Sequence, residues 1–132
     1  MSIKKAERKK IMEELTRKDI LDSAVDLLLE KGIKKLTMDK VASGAGIAKG
    51  TVYLYYKDKK VLLDSVVSYY FKPLEEEYKN ISDSNLDPIL KLEQIARKSL
   101  EYVDKNIQLF KEVRNVMFST TDQYIENENS WY

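Results

Sequence analysis

The stretch AGIAKGTVYLYYKDK, residues 45–59, decides how this chain is read. Tyr53, Tyr55 and Tyr56 fall within four positions, just behind Lys49 and Gly50. A buried helix face would be built from Leu or Phe, and a plain solvated one from Glu and Lys. On a helix turning about 100° per residue, Ala48, Val52 and Tyr56 fall on one side and predict a core face. Gly50 and Leu54 lie opposite, flanked by Lys49, Thr51 and Tyr53, with Tyr55 near the edge of the core face. The outer face therefore has little bulk at its front, one cation, and hydroxyls to the sides.

Such a face suits a DNA major groove. Gly50 lets the backbone approach a duplex, and Lys49 and Thr51 stand at the helix start, where side chains reach base edges. Tyr53 and Tyr55 can donate to phosphates, which fixes register without reading sequence. Leu54 can meet a thymine methyl. Lys59, at the start of the next helix, adds charge where backbone N–H groups already favour a phosphate. Thr37 can do the same at its own helix start.

The flanking residues give this face a frame. Thr37 predicts a helix N-cap, with Asp39 in the first turn to match the dipole. Met38, Val41, Ala42 and Ala45 give that helix a short apolar face. Gly46 follows where a positive φ is needed, and Ile47 can plug the corner. Two short helices joined by a glycine turn make a helix-turn-helix over about residues 37–56. Upstream, Ile20, Leu21, Ala24, Val25, Leu28 and Leu29 recur at helical spacing, and Gly32 ends that helix. Residues 1–16 read either as a basic arm or as a solvated extension of the same helix. Downstream, Asp58 caps a long helix in which Pro73 predicts a kink or a restart. SDSNLDP (82–88) reads as a loop. Two further amphipathic helices follow, one over 89–106 with Ile89, Leu92, Ile95, Ala96, Leu100 and Val103 on its apolar face, and one from Ile107. The fold class is all-α: a three-helix DNA-binding unit at residues 1–63, then a helical bundle at 64–132.

Composition narrows the chemistry. The chain has no Cys and no His, which excludes disulfides, Cys/His zinc sites and any nucleophile that relies on a His base. No acid–base–nucleophile constellation is present, so an enzyme is not expected, nor a cofactor or a bound metal. The N-terminus has no apolar core behind its charges, and no apolar run approaches the ~20 residues that span a bilayer. A cytoplasmic location without membrane contact is the expectation. The net charge of +1 hides an asymmetry: residues 1–60 hold 15 Lys/Arg and 9 Asp/Glu, and the remainder 8 and 13. A basic front half places polyanion-facing work there.

The run R17..IL..A...L...G32....T37...VA..AGI.KGTVY.YY..K59..L62 resembles the N-terminal domain of the tetracycline-repressor (TetR) family of bacterial transcription regulators. The resemblance implies that Lys49–Tyr55 is a recognition helix, that Tyr53 and Lys59 contact phosphate, and that Lys49, Gly50, Thr51 and Leu54 face bases. It further implies a homodimer on an inverted-repeat duplex, and a small-molecule effector bound among the later helices that releases the repressor. Tyr70, Tyr78, Tyr102, Phe110 and Phe118 are the candidate lining of that effector pocket. Two departures stand out. Position 48 is Ala, where the family often has a capping Ser or Thr, a loss of roughly 0.5–2 kcal/mol. The family's chains also continue for several more helices, so this one reads as shortened at the C-terminus, with dimerisation depending on the later helices. The alternative expectation is a truncated helical interaction protein that kept the fold and lost specific DNA binding.

Overall fold

A computed structural model describes residues 2–118, and all of its regular structure is helical. Helix α1 spans Ser2–Lys31, and Gly32 ends it at φ 81°. The open choice at residues 1–16 falls to helix. No Gly or Pro interrupts the run, Ala, Leu, Lys, Arg and Glu dominate it, and Glu13/Arg17 and Glu14/Lys18 have the favourable i,i+4 order. A short 3-10 turn, Ile33–Lys35, leads into α2, Met38–Ala45.

The caps on α2 follow the sequence reading. Thr37 accepts from the Lys40 N–H at 3.2 Å. Gly46 sits in the left-handed region at φ 70°, ψ 30°, and the Ile47 N–H returns to the Ala42 carbonyl at 3.1 Å. That six-residue closure turns the chain sharply into α3, Lys49–Tyr55. Helix α4, Lys59–Ser82, is capped by the Asp58 carboxylate, which accepts from Val61 N–H at 2.9 Å. It runs through Pro73 as one element instead of restarting; the carbonyl that Pro73 leaves without a helical donor belongs to Tyr69, an exposed residue. Asp87 and Pro88 open α5, Pro88–Lys105, and α6 follows at Ile107–Phe118.

One core holds these elements together. Ile20, Ala24 and Leu28 of α1 meet Val41 of α2, Val52 of α3, and Leu62, Leu63 and Val66 of α4. Leu109 and Val113 of α6 join the same cluster, and α4 crosses residue 63 without a break. At the α1–α2 crossing the helices come close: a Cβ on Gly44 would lie 2.4 Å from Ser23 Oγ. That buried hydroxyl donates to the Val41 carbonyl at 2.9 Å.

Helix α5 departs from the sequence reading. It has no buried residue, and Ile89 and Leu100 are 76% and 71% exposed. The helix turns its other side to α4, through the Tyr78–Ser99 hydroxyl pair and the Tyr102 hydroxyl donating to the Tyr70 carbonyl. Ile89, Leu92, Ala96 and Leu100 of the apolar stripe therefore face outward, while Ile95 and Val103 are half-buried.

Candidate nucleic-acid interface

Helix α3 is held by one side. Val52 is fully buried, and Tyr56, in extended conformation just past the helix end, is 6% exposed. Both form the core face that the sequence predicts. Ala48 does not: it is the N-cap, at φ −69°, ψ 145°, outside the helical rotation and exposed. It gives the helix no side-chain cap, so the first backbone N–H groups of α3 stay available at the surface.

The opposite side is open. A Cβ on Gly50 would meet nothing within 4 Å, and Leu54 is 85% exposed. Tyr53 is exposed beside them, and Thr51 is half-buried at the margin. Lys49 is tied in place: its Nζ lies 2.9 Å from Asp39 Oδ1 on α2 and 5.9 Å from the Tyr53 ring centroid. The hydrogen bond and charge of Asp39 raise the Lys49 pKa, so it stays cationic. Tyr55 is half-buried, and the Arg17 guanidinium of α1 lies 5.3 Å from its ring centroid. Structure thus brings Lys49, Gly50, Tyr53 and Leu54 onto one exposed surface, with Thr51 and Tyr55 at its edges. Thr37 is half-buried and engaged as the α2 cap.

Lys59 is the correction. Sequence reading places it at the surface, facing a phosphate; the structure turns it inward. It is 5% exposed, and its Nζ donates to the Ile33 carbonyl at 2.8 Å, joining the start of α4 to the 3-10 turn. Burial lowers its pKa from 10.5 to about 8. Asp39 and Arg17 are the residues that sequence reasoning missed. Asp39 reads as a helix-dipole partner and also anchors Lys49. Arg17 opens the family-like motif, yet nothing local ties it to Tyr55.

The pocket candidates are partly gathered. Phe71, Tyr102 and Phe110 form a ring cluster, with Phe71 and Phe110 edge to face at 5.0 Å. Tyr70 meets Tyr102 through its carbonyl, and Tyr78 stands farther along α4 against Ser99. Burial raises the pKa of both Tyr70 and Tyr102, which keeps them as neutral phenols. The Phe118 side chain lies outside the described residues.

Residues 20–66 match the family model described as bacterial regulatory proteins, tetR family. Over those residues the chain is similar to the tetR family of bacterial regulators. The transcriptional repressor KstR2 of Rhodococcus jostii (strain RHA1) is 26% identical over 118 residues, 86% of this chain and 58% of that protein. The regulator YdeS of Bacillus subtilis (strain 168) is 46% identical over 57 residues, 42% of this chain and 29% of its own length. Among solved structures, the fatty acid degradation regulator FadR from Bacillus halodurans superposes with a TM-score of 0.69 at 21% identity, covering 87% of this chain and 60% of that one. NalD of Pseudomonas aeruginosa gives 0.64 at 24%, covering 89% and 60%. These two establish the fold alone. The chain spans under two thirds of the length of such relatives. Among the described residues, no helix is long and apolar enough to cross a membrane.

Proposed function

We propose that this chain is a tetR-type, sequence-specific DNA-binding transcriptional regulator of the repressor type. The observation that carries the reading is the outward face of α3: Gly50 in open space, Leu54 solvated, and Tyr53 and Lys49 beside them, on a helix locked from behind by Val52 and Tyr56. A rigid helix with a bare front and polar flanks matches what groove reading requires. Residues 1–63 read the duplex, with Lys49, Gly50, Thr51 and Leu54 toward bases and Tyr53, Tyr55 and Thr37 toward phosphates. Residues 64–132 contribute to effector binding and dimerisation, and the operator is an inverted repeat. A small-molecule effector bound near Tyr70, Tyr102 and Phe110 releases the DNA; α4, shared by both parts, transmits the change. A fatty acid metabolism regulator of Bacillus subtilis is 36% identical to this chain, but only over 64 residues and a third of its own length, which leaves the effector class open.

The test is fluorescence anisotropy of the purified chain with duplex DNA across a salt series. A steep fall of affinity with salt is expected, because each neutralised phosphate contributes a slope of about −0.9 in the log–log plot. A flat response would sink the proposal. The second reading, a helical interaction protein without DNA affinity, draws on the exposed Ile89, Leu92 and Leu100 of α5. It is the reading left if no duplex binds at low salt.

A further inference from the structure

We infer that the first half of α1 is a second DNA-binding element, which runs along the phosphate backbone of duplex flanking the site under α3. The inference rests on the DNA-binding reading and extends it to a separate surface. Four observations carry it. Helix α1 begins at Ser2, whereas its first core residue is Ile20, so about 27 Å of helix precedes the packed portion. Of residues 4–19, only Glu13 and Thr16 are even half-buried, so this length is largely solvated, and Arg17 near its end meets the Tyr55 ring. Residues 1–10 hold five basic side chains, Lys4, Lys5, Arg8, Lys9 and Lys10, against Glu7 alone.

The fourth observation is position. Arg17 lies over Tyr55, which places the root of the extension beside the C-terminal end of α3. Helix α6 lies at the other end of α1, where its Glu112 carboxylate approaches Gly32. The extension therefore leaves the body on the side of the reading helix and away from α6. A cationic rod held next to a groove-reading helix meets the phosphates of the adjoining turn, and about 27 Å corresponds to roughly 8 base pairs. Contacts of this kind carry no base specificity; they raise affinity and deepen its salt dependence.

The experiment compares a variant with Lys4, Lys5, Arg8, Lys9 and Lys10 changed to Gln against one with Lys72, Lys79, Lys98, Lys105 and Lys111 changed to Gln. Both remove the same charge, but the second set lies on α4, α5 and α6. The probes are a duplex selected from a random pool by the parent chain, and the same duplex trimmed to the selected core. The N-terminal variant should lose about tenfold or more on the long duplex at low salt, with its log–log salt slope reduced by about 2 or more. On the trimmed duplex it should approach the parent. If the N-terminal variant binds both duplexes as the parent does, or if the control variant loses as much, the inference is overturned. Unchanged binding with altered sedimentation would instead assign the helix, with its exposed Ile11, Met12 and Leu15, to self-association. Failure of the parent to bind any duplex would be a different result: it removes the DNA-binding reading itself, and this element with it.

Discussion

Gly50→Glu separates binding from folding. Gly50 is the second residue of α3, and a Cβ there meets nothing within 4 Å, so the new side chain has room. Replacing glycine by glutamate inside a helix gains roughly 0.5–0.8 kcal/mol of propensity. A carboxylate in the first turn adds about 0.3–1 kcal/mol, and it meets N–H groups that Ala48 leaves without a side-chain cap. The folded state should gain about 1 kcal/mol, a rise of a few degrees in Tm for a chain of this size. DNA binding should respond in the opposite sense. A negative charge about 5 Å from a phosphate costs roughly 1–3 kcal/mol between the limits of bulk water and a protein surface. With several phosphates near, and the bulk of the side chain in the groove, a loss of at least ~100-fold follows. Gly50→Ala serves as the neutral control: similarly stabilised, with a smaller loss of affinity. Circular-dichroism melting and anisotropy on the same samples check both halves. A fall of several degrees in the Glu variant, or binding equal to the parent, would refute the reasoning.

Three other expectations follow from the packing. Gly44→Ala should destabilise by about 1–2 kcal/mol, because its methyl displaces Ser23 Oγ from the Val41 carbonyl by more than the helix-propensity gain offsets. Adding Ser23→Ala should restore most of that loss in urea unfolding, since only an ordinary 3.5 Å contact with Ser23 Cβ remains; absence of rescue would contradict the close crossing. Tyr56→Ala should cost about 3–5 kcal/mol by creating a cavity under α3, and a melting curve equal to the parent's would show that the ring is not core. Lys59 has a folded-state pKa of about 8, below its ordinary 10.5, so between these values the unfolded chain binds more protons than the folded one. Its contribution to stability therefore rises with pH across that window, and is smallest below about 8. Subtracting the urea midpoints of a Lys59→Met variant cancels the tyrosine contributions and should leave this rise; a flat difference would contradict the burial.

The helix-turn-helix was legible because its signals are local. Thr37 caps three residues ahead, Gly46 closes a six-residue turn, and Val52 with Tyr56 mark one side of a short helix. The features that were not legible depend on distance along the chain or on competing surfaces. Lys59 looks like a helix-start cation until a carbonyl 26 residues upstream draws it inward. Nothing near Lys49 in sequence reveals that Asp39, on another helix, holds it. A helical wheel assigns Ala48 an angle, but the residue is the N-cap and lies outside the helical rotation. The α5 stripe shows the limit of periodicity: spacing identified an apolar face, but which face packs on α4 was decided by Ser99 and Tyr102. The charges of residues 1–16 fit an arm as well as a helix, and the absence of breakers favours the helix.

The most direct measurement of the central claim is in-vitro selection of random duplex DNA at low salt, run in parallel on the parent chain and on Gly50→Glu. The account predicts that the parent enriches a defined motif, as an inverted repeat if two copies assemble on the DNA and as a half-site if one copy binds alone, while the variant enriches nothing. A parent that enriches no sequence, or a variant that enriches the same motif, would contradict the assignment of α3 as the helix that reads DNA.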